Sequence, residues 1–279
     1  MLVNLNDILI PARRGGYAVG LFNTTDTDML EAVIGAAERT RSPVIIGTAE
    51  VLLPYGELKL IAPSLLAAAK RASVPVALHY DHGLTLERCR EALELGFSSI
   101  MFDGSARPTR EDNISLTLEA VRMAHEFGAT VEGEIGHVGE AANGDGQTSD
   151  MYTTPEEAGE FVSLTGVDAL AVAIGTAHGA YKTRPCLDLT RLSAIYKRVN
   201  VPLVLHGGSG LSDDDFRNTV HNGISKINIF TDLCIAGERG MREGLAQGEG
   251  YLDIRNRKVA AISAEAERKM KIFGCSGKA

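Results

Sequence analysis

The sequence predicts a single (β/α)8 barrel, and three observations support this fold class. Eight short apolar runs are each separated from the next by a stretch long enough for a helix. Alternating strands and helices are typical of a parallel sheet, and eight such units favour a closed barrel. The 279 residues suit this barrel, which commonly uses about 250 residues as one domain. An open, doubly wound sheet is the alternative, because strand counts drawn from one sequence vary.

The predicted strands follow one another along most of the chain. They span residues 17–22, 43–47, 75–80, 98–102, 129–135, 169–175, 202–206 and 226–230. Amphipathic helices are expected between them. After the third strand, for example, Cys89, Ala92 and Leu93 share one helix face and Gly96 ends the helix. A helical extension at about 250–279 is expected to complete this single domain.

Composition and charge indicate an ordinary globular protein. The chain is 44% hydrophobic and 23% charged, which is enough to bury a large interior. Its formal net charge of -8 provides no basic field for a polyanion, so nucleic acid is not an expected partner. The start lacks a signal-peptide pattern, and no run reaches the ~18 apolar residues of a membrane span. We therefore expect a soluble, cytoplasmic protein, with reduced thiols at the widely spaced Cys89, Cys186, Cys234 and Cys275.

Polar side chains gather at the C-terminal ends of the predicted strands, where barrel enzymes build their sites. In chain order they are Asn23, Thr48, His79, Asp81, His82, Asp103, Glu132, Glu134, His178, His206 and Asn228. A lone histidine at a strand end is more often a packing residue. A set of three imidazoles drawn from these histidines, with carboxylates around them, would instead be typical of catalytic zinc, which keeps one coordination position open. Glu132 and Glu134 share a strand face, so both should point into the barrel mouth, where nearby cations would offset their burial.

The segments after the last two strands indicate an anion site. They read HGGSG at 206–210 and NIFTD at 228–232, where many barrels bind phosphate. Glycines let backbone N–H groups approach an anion closely, and a helix N-terminus adds positive potential. A tight turn that caps the next helix is the alternative interpretation of HGGSG.

Five ordered motifs resemble the class II fructose-bisphosphate and tagatose-bisphosphate aldolase family. They are HYDHG, VEGEIGHVGE, AIGTAHGAYK, LHGGSG and INIFTD. The resemblance spans nearly the whole chain and looks closest to the ketose-phosphate aldolase branch. It implies a zinc-dependent aldehyde-lyase that reversibly cleaves a ketose 1,6-bisphosphate or related ketose 1-phosphate to dihydroxyacetone phosphate and an aldehyde. It also implies a homodimer or homotetramer.

The resemblance assigns roles to individual residues. By position, His82, His178 and His206 match the zinc ligands, and Asp81 matches the catalytic proton-transfer residue. The carboxylates of Asp103 and Glu134 match those that hold an alternative metal position. A Na+ or K+ ion is expected near the substrate phosphate. The candidates for substrate and phosphate binding are Asn23, Thr48, Gly179, Lys182, Gly207, Gly208, Ser209, Asn228 and Thr231.

The long irregular segment 137–154 departs from the family pattern. Loops of this length in compact domains are usually lids or binding loops. Much of the family carries an acidic residue one or two positions beyond Glu140, where this chain has Ala141 and Ala142. We expect a mobile lid whose Glu140 supplies a catalytic acid, with His137 as the reserve candidate.

A second departure leaves the substrate and two rival functions open. The stretch YLDIRNRKV lacks the Asp-Pro-Arg pattern near which relatives place an arginine for the second phosphate, so Arg255 or Arg257 would have to substitute. The aldehyde half could instead carry a sulfonate, carboxylate or deoxy group. One rival is a non-catalytic relative that binds metal or sugar phosphate. The other is a lysine-dependent aldolase, but Lys226 lies at the start of its strand and only Lys182 is near the rim.

Overall fold

The computed structural model describes residues 1–136, 138–140, 152–179, 181 and 185–279, with only the backbone at 139 and 140. Within these residues, one parallel sheet contains nine strands and a small sheet contains two. The strands are β1 (Leu2–Val3), β2 (Val19–Asn23), β3 (Val44–Ala49), β4 (Val76–Gly83), β5 (Ser99–Phe102), β6 (Thr130–Ile135), β7 (Gly139–Glu140), β8 (Ala169–Val172), β9 (Ala177–His178), β10 (Leu203–Leu205) and β11 (Ile224–Ile229).

Eight strands of the large sheet form a closed barrel. From β2 the order runs through β3, β4, β5, β6, β8 and β10 to β11, and every pair is parallel. The barrel closes where β11 pairs with β2, which places Asn228 opposite Leu21 and Ile229 opposite Phe22. These are the eight strands that the apolar runs predicted. The (β/α)8 barrel is therefore confirmed, and the open doubly wound sheet is wrong.

Helices follow the barrel strands and cover the outside of the barrel. They are α1 (Leu5–Gly15), α2 (Thr27–Thr40), α3 (Leu58–Arg71), α4 (Leu86–Glu94), α5 (Arg110–Glu126), α6 (Pro155–Thr165), α7 (Leu189–Arg198), α8 (Asp213–His221), α9 (Thr231–Ala246) and α10 (Tyr251–Phe273), with a 3-10 turn at Glu50–Tyr55. Polar N-cap side chains stabilise the N-termini of several of these helices. In α4, Thr85 accepts a hydrogen bond from Arg88 N–H, and the predicted face of Cys89, Ala92 and Leu93 is buried.

The apolar core lies between the barrel wall and the helices. Because parallel strands covered by helices are buried on both faces, every residue of β2 and β3 is buried. The carboxyl end of the barrel interior is polar instead. The buried polar and charged side chains there include His79, Asp81, Glu132, Glu134, His206 and Lys226. Since charge is costly to bury without function or pairing, this end is the candidate functional face.

The C-terminal helix α10 lies within the predicted extension and packs against α2 and α9. Its residues Met270 and Phe273 are fully buried, and the Phe273 carbonyl accepts a hydrogen bond from Ala18 N–H just before β2. The helix is therefore part of the packed structure around the barrel.

Two general expectations can be compared with the described residues. Cys89, Cys186, Cys234 and Cys275 are all free, in agreement with the predicted thiols. Among the helices of the described part of the chain, none has the length and apolar character that crossing a bilayer requires.

Candidate active site at the carboxyl end of the barrel

A cavity of about 410 Å³ opens at the carboxyl end of the barrel. Strand ends and the loops that follow them form its wall, as barrel geometry requires. Residues that are distant in sequence therefore meet in one place. The predicted site residues that line it are Asn23, Asp81, His82, Asp103, Glu134, His178, Gly179, His206, Gly207, Gly208, Ser209, Asn228 and Thr231.

Three histidines converge inside this cavity. His82 Nε2 lies 3.0 Å from His206 Nδ1, and the ring centroid of His178 lies 5.0 Å from that of His82. One ring nitrogen from each of the three residues lies within 4.8 Å of the others. His178 Nε2 is buried and has no hydrogen-bond partner among the described residues. A buried nitrogen without a partner is costly, and a metal ion at the centre of the three rings would provide one.

Carboxylates outside this triad fix the orientation of two rings. Asp103 lies 2.8 Å from His82 Nδ1, and Glu132 lies 2.8 Å from His206 Nε2. Ser105 also donates a hydrogen bond to Asp103 at 2.6 Å. Each carboxylate holds the outer ring nitrogen, which turns the inner nitrogen toward the centre. This arrangement is typical of histidines that bind a metal.

The charges of the three histidines differ because their surroundings differ. Burial alone would lower the pKa of His82, but Asp81 and Asp103 raise it to about 10. Burial, reinforced by the positive charge of His82, lowers the pKa of His178 to about 3 and also lowers the pKa of His206. Two imidazoles are thus neutral at pH 7, which is the form that binds metal. Asp81, Asp103 and Glu134, which raise the pKa of His82, would also favour a cation at this position.

Asp81 is a buried carboxylate held by two amides. Asn23 donates a hydrogen bond to its Oδ2 at 2.7 Å, and Asn228 donates to both of its oxygens at 3.1 Å. Burial would raise the pKa of Asp81, but the positive charges of His82 and Lys226 hold it well below its usual range. An ionised, oriented carboxylate that faces the cavity can accept a proton from a bound molecule.

Glu134 has the opposite electrostatic environment. Burial and the negative charge of Asp103 raise its pKa to about 8, and its Oε2 has no hydrogen-bond partner among the described residues. Glu134, Asp103 and His82 each offer a ligand atom within 4.8 Å of the others. The structure therefore contains a second candidate metal position that shares His82 with the histidine triad.

The HGGSG segment faces the N-terminus of α9. Ser209 Oγ accepts hydrogen bonds from the backbone N–H groups of Phe230 at 3.3 Å and Asp232 at 3.4 Å, and the residue at the N-cap position of α9 makes no side-chain cap. Ser209 therefore caps the start of α9, and the positive end of the helix dipole there attracts anions. Ser212, further along, caps the next helix α8. Ser209 of the segment thus contacts the start of α9, and the cap of α8 lies two residues beyond the segment.

Several predicted residues lie elsewhere or outside the described part of the chain. Thr48 is buried in β3 and does not line the cavity, which is bounded at this strand end by Ala49. Lys182, His137 and the Glu140 side chain lie outside the described residues, as do positions 141, 142 and most of the predicted lid.

The two arginines suggested for a second phosphate are held by acidic side chains. Arg255 donates hydrogen bonds to Asp28 and Glu31, and Arg257 donates to Glu249. Neither arginine is among the described residues that line the cavity.

The contacts of two residues were not predicted from the sequence: Tyr181 was not singled out, and Lys226 was considered only as a Schiff-base lysine. The Tyr181 hydroxyl accepts a hydrogen bond from Ala177 N–H at 2.8 Å and donates one to the Gly207 carbonyl at 2.7 Å, so it joins the His178 and His206 segments. Lys226 forms an ion pair with Glu132 at 2.7 Å inside the barrel. The spacing of Lys226 two positions before Asn228 could have indicated that both face inward.

Comparison with known protein families gives one match over almost the entire chain. The family model for class II fructose-bisphosphate aldolase matches residues 3–278. Two relatives are each 39% identical. The 6-phospho-5-dehydro-2-deoxy-D-gluconate aldolase of Shouchella clausii aligns over 99% of this chain and 96% of its own length, and the fructose-bisphosphate aldolase of Geobacillus stearothermophilus over 100% and 99%.

Solved structures give the same result. The crystal structure of the YdjI aldolase from Escherichia coli K12 superposes with a TM-score of 0.91 and 38% sequence identity, and the match covers all of both chains. The barrel, the convergent histidines and carboxylates, and the full-length matches agree with one another. This chain is therefore an aldolase, a carbon–carbon lyase, and belongs to the class II fructose-bisphosphate aldolase family.

Proposed function

We propose that this aldolase depends on zinc and cleaves a phosphorylated ketose to dihydroxyacetone phosphate and an aldehyde. The observation that carries the proposal is the convergence of His82, His178 and His206, where His178 Nε2 has no partner among the described residues. Three nitrogen ligands with outer carboxylate partners suit zinc and leave room for substrate oxygens. When bound, zinc would act as a Lewis acid that stabilises negative charge developing on the substrate carbonyl oxygen.

Asp81 is the proposed acceptor of the substrate hydroxyl proton. As the carbon–carbon bond breaks, this proton must leave the hydroxyl group on the carbon that becomes the aldehyde. The amides of Asn23 and Asn228 hold the carboxylate in place, and its low pKa keeps it ionised before the reaction. In the synthesis direction the same group would return the proton.

The phosphate of the dihydroxyacetone unit is proposed to bind between the glycine-rich segment and α9. Ser209 and the N-terminus of α9 support this position, with Gly179, Gly207, Gly208 and Thr231 around it. Lys182, near the same motif in sequence, and a Na+ or K+ ion would add positive charge. Asp103 and Glu134 would hold the metal at its alternative position.

The aldehyde half is the less constrained part of the substrate. The wall formed by Val51, Leu52, Leu84 and Val138 is apolar, and no lysine or arginine lines the described part of the cavity. These features support a second candidate function, cleavage of a sugar whose aldehyde lacks a second phosphate. A deoxy group suits the apolar wall, whereas a carboxylate or sulfonate would need a cation from residues outside the described part of the cavity. The 39% identical relative that is named as a phospho-dehydro-deoxygluconate aldolase supports the same candidate.

The assembly, domain organisation and location of the enzyme are proposed together. A homodimer or homotetramer is supported by exposed apolar side chains on α9 and the start of α10, among them Ile235, Leu245, Tyr251 and Leu252. We place the whole chain in one domain with α10 as its C-terminal extension, and we place the enzyme in the cytoplasm. Sedimentation of the purified protein would measure the assembly.

The experiment is a substrate screen with the purified enzyme. Metal-free and zinc-loaded protein would be incubated with ketose 1-phosphates and ketose 1,6-bisphosphates, and dihydroxyacetone phosphate would be detected through a coupled dehydrogenase. Release by the zinc-loaded protein alone is expected. Equal release by metal-free protein, or trapping of the enzyme by borohydride with substrate, would contradict the proposal because only an imine is trapped.

A further inference from the structure

A third group of possible metal ligands lies deeper in the barrel. His79, Asp81 and Glu132 are all fully or almost fully buried, and each offers a ligand atom within 4.8 Å of the others. An ammonium group already balances part of the negative charge of this cluster, because Lys226 Nζ lies 2.7 Å from Glu132 Oε2 and both side chains have no exposure to solvent. Lys226 is thus a fixed internal cation beneath the active site.

One contact of Lys226 leads to a proposed zinc ligand. The two oxygens of Glu132 have different partners: Oε2 pairs with Lys226 and Oε1 accepts a hydrogen bond from His206 Nε2 at 2.8 Å. With Oε2 held by the ammonium, the carboxylate cannot rotate without losing one of these contacts. The position of Lys226 therefore determines the direction from which Glu132 holds the His206 ring.

The other contact leads to the proposed proton acceptor. Lys226 Nζ donates a hydrogen bond to Asn228 Oδ1 at 2.8 Å. Since an ammonium group can only donate, it fixes the carbonyl side of the Asn228 amide toward itself. The amide nitrogen must then face the opposite way, where it donates to both oxygens of Asp81 at 3.1 Å.

Burying the Lys226 ammonium group away from water costs free energy. A buried ammonium is stable only when it is paired and hydrogen-bonded, and its removal leaves a buried carboxylate without compensation. Lys226 does not line the described part of the cavity, so its function must act through other residues.

We propose that Lys226 is a positioning residue that sets two parts of the active site at once. It aligns His206 through Glu132, and it aligns Asp81 through Asn228. This inference rests on the proposed function of the zinc triad and Asp81. Nothing in it requires Lys226 to contact the substrate.

The test uses Lys226→Met and the charge-matched double variant Lys226→Met/Glu132→Gln. In both variants Asn228 Oδ1 loses the hydrogen bond that Lys226 donates. The kcat at saturating metal should therefore fall about 10- to 100-fold, which is the usual effect of removing a partner that orients a metal ligand. The KM should change little. A second readout is the visible spectrum of the cobalt-substituted protein, which reports ligand geometry. The spectrum should change in the single variant and return toward that of the wild type in the double variant. In the double variant, the side-chain amide oxygen introduced at position 132 can still accept a hydrogen bond from His206 Nε2.

Lys269→Met is the matched control. Lys269 is also buried, at 1% exposure, but its partners are Asp232 and Glu265, outside the metal cluster. Its removal should reduce stability and leave the cobalt spectrum unchanged. An equal spectral change in this control would mean that loss of any buried lysine distorts the barrel, and it would overturn the inference.

The outcomes separate this inference from the proposed function. A wild-type enzyme without metal-dependent cleavage would refute the proposed function, whatever the variants do. If the wild type is active, wild-type kcat in the double variant overturns the role of Lys226. The double variant removes both charges of the buried ion pair together, so it decides the question even if Lys226→Met does not fold.

Discussion

Replacement of Gly207 by alanine should damage the active site through backbone geometry alone. Gly207 has φ +65°, and an added Cβ atom would overlap the carbonyl oxygen of Ala177 and lie 2.7 Å from its carbonyl carbon. The left-handed conformation costs a residue with Cβ about 1–2 kcal/mol. Overpacking against backbone adds about 1–3 kcal/mol, because Ala177 cannot rotate away. Together, these two costs predict that the free energy of unfolding falls by about 2–5 kcal/mol.

Gly248→Ala is the matched control for this prediction. Gly248 has φ +72°, but no atom of the described residues lies within 4 Å of the point that an added Cβ would occupy, so only the conformational cost of about 1–2 kcal/mol should appear. Urea denaturation of the metal-free proteins would measure both losses, and chelator competition would measure zinc affinity. Gly207→Ala should also weaken zinc binding, because displacement of Ala177 moves His178 away from His206. Equal stability of the two variants, with normal zinc affinity in Gly207→Ala, would refute this reasoning.

The remaining predictions concern proton transfer and phosphate binding. Asp81→Ala should keep zinc and lose about 10²- to 10⁴-fold in kcat, the usual contribution of a proton-transfer group, whereas a near wild-type kcat in steady-state assays would remove Asp81 from this role. Ser209→Ala should raise the KM for the phosphorylated ketose more than it lowers kcat, and an unchanged KM would place the phosphate elsewhere. Glu140→Gln should slow deuterium exchange into dihydroxyacetone phosphate without changing zinc content. If His137→Asn has this effect instead, His137 is the residue that transfers the proton. No effect in either variant would mean that another group carries the proton.

The barrel could be predicted from the sequence because its strands carry a strong physical signal. Each is a short apolar run buried on both faces and followed by an amphipathic helix. The strands β1, β7 and β9 were not predicted, since two residues are too few for a periodic pattern. Their positions depend on neighbouring strands, such as the pairing of Val3 with Ala77.

The location of the site was predictable for a related reason, but its internal contacts were not. Parallel strands bring their carboxyl ends to one rim, so His82 and His206 could be placed together although 124 residues separate them. Partners within the barrel depend on three-dimensional packing. The pairing of Lys226 with Glu132, and the absence of Thr48 from the cavity wall, could not be obtained from strand ends alone.

The most direct test of the account is the metal content of three single variants. His82→Ala, His178→Ala and His206→Ala would each be purified, checked for folding by circular dichroism and analysed for zinc beside the wild type. Because each histidine supplies one of three nitrogen ligands, we predict about one zinc per wild-type chain and a sharp loss in every variant. If all three folded variants still contain one zinc per chain, the histidine triad is not the metal site and the account is wrong.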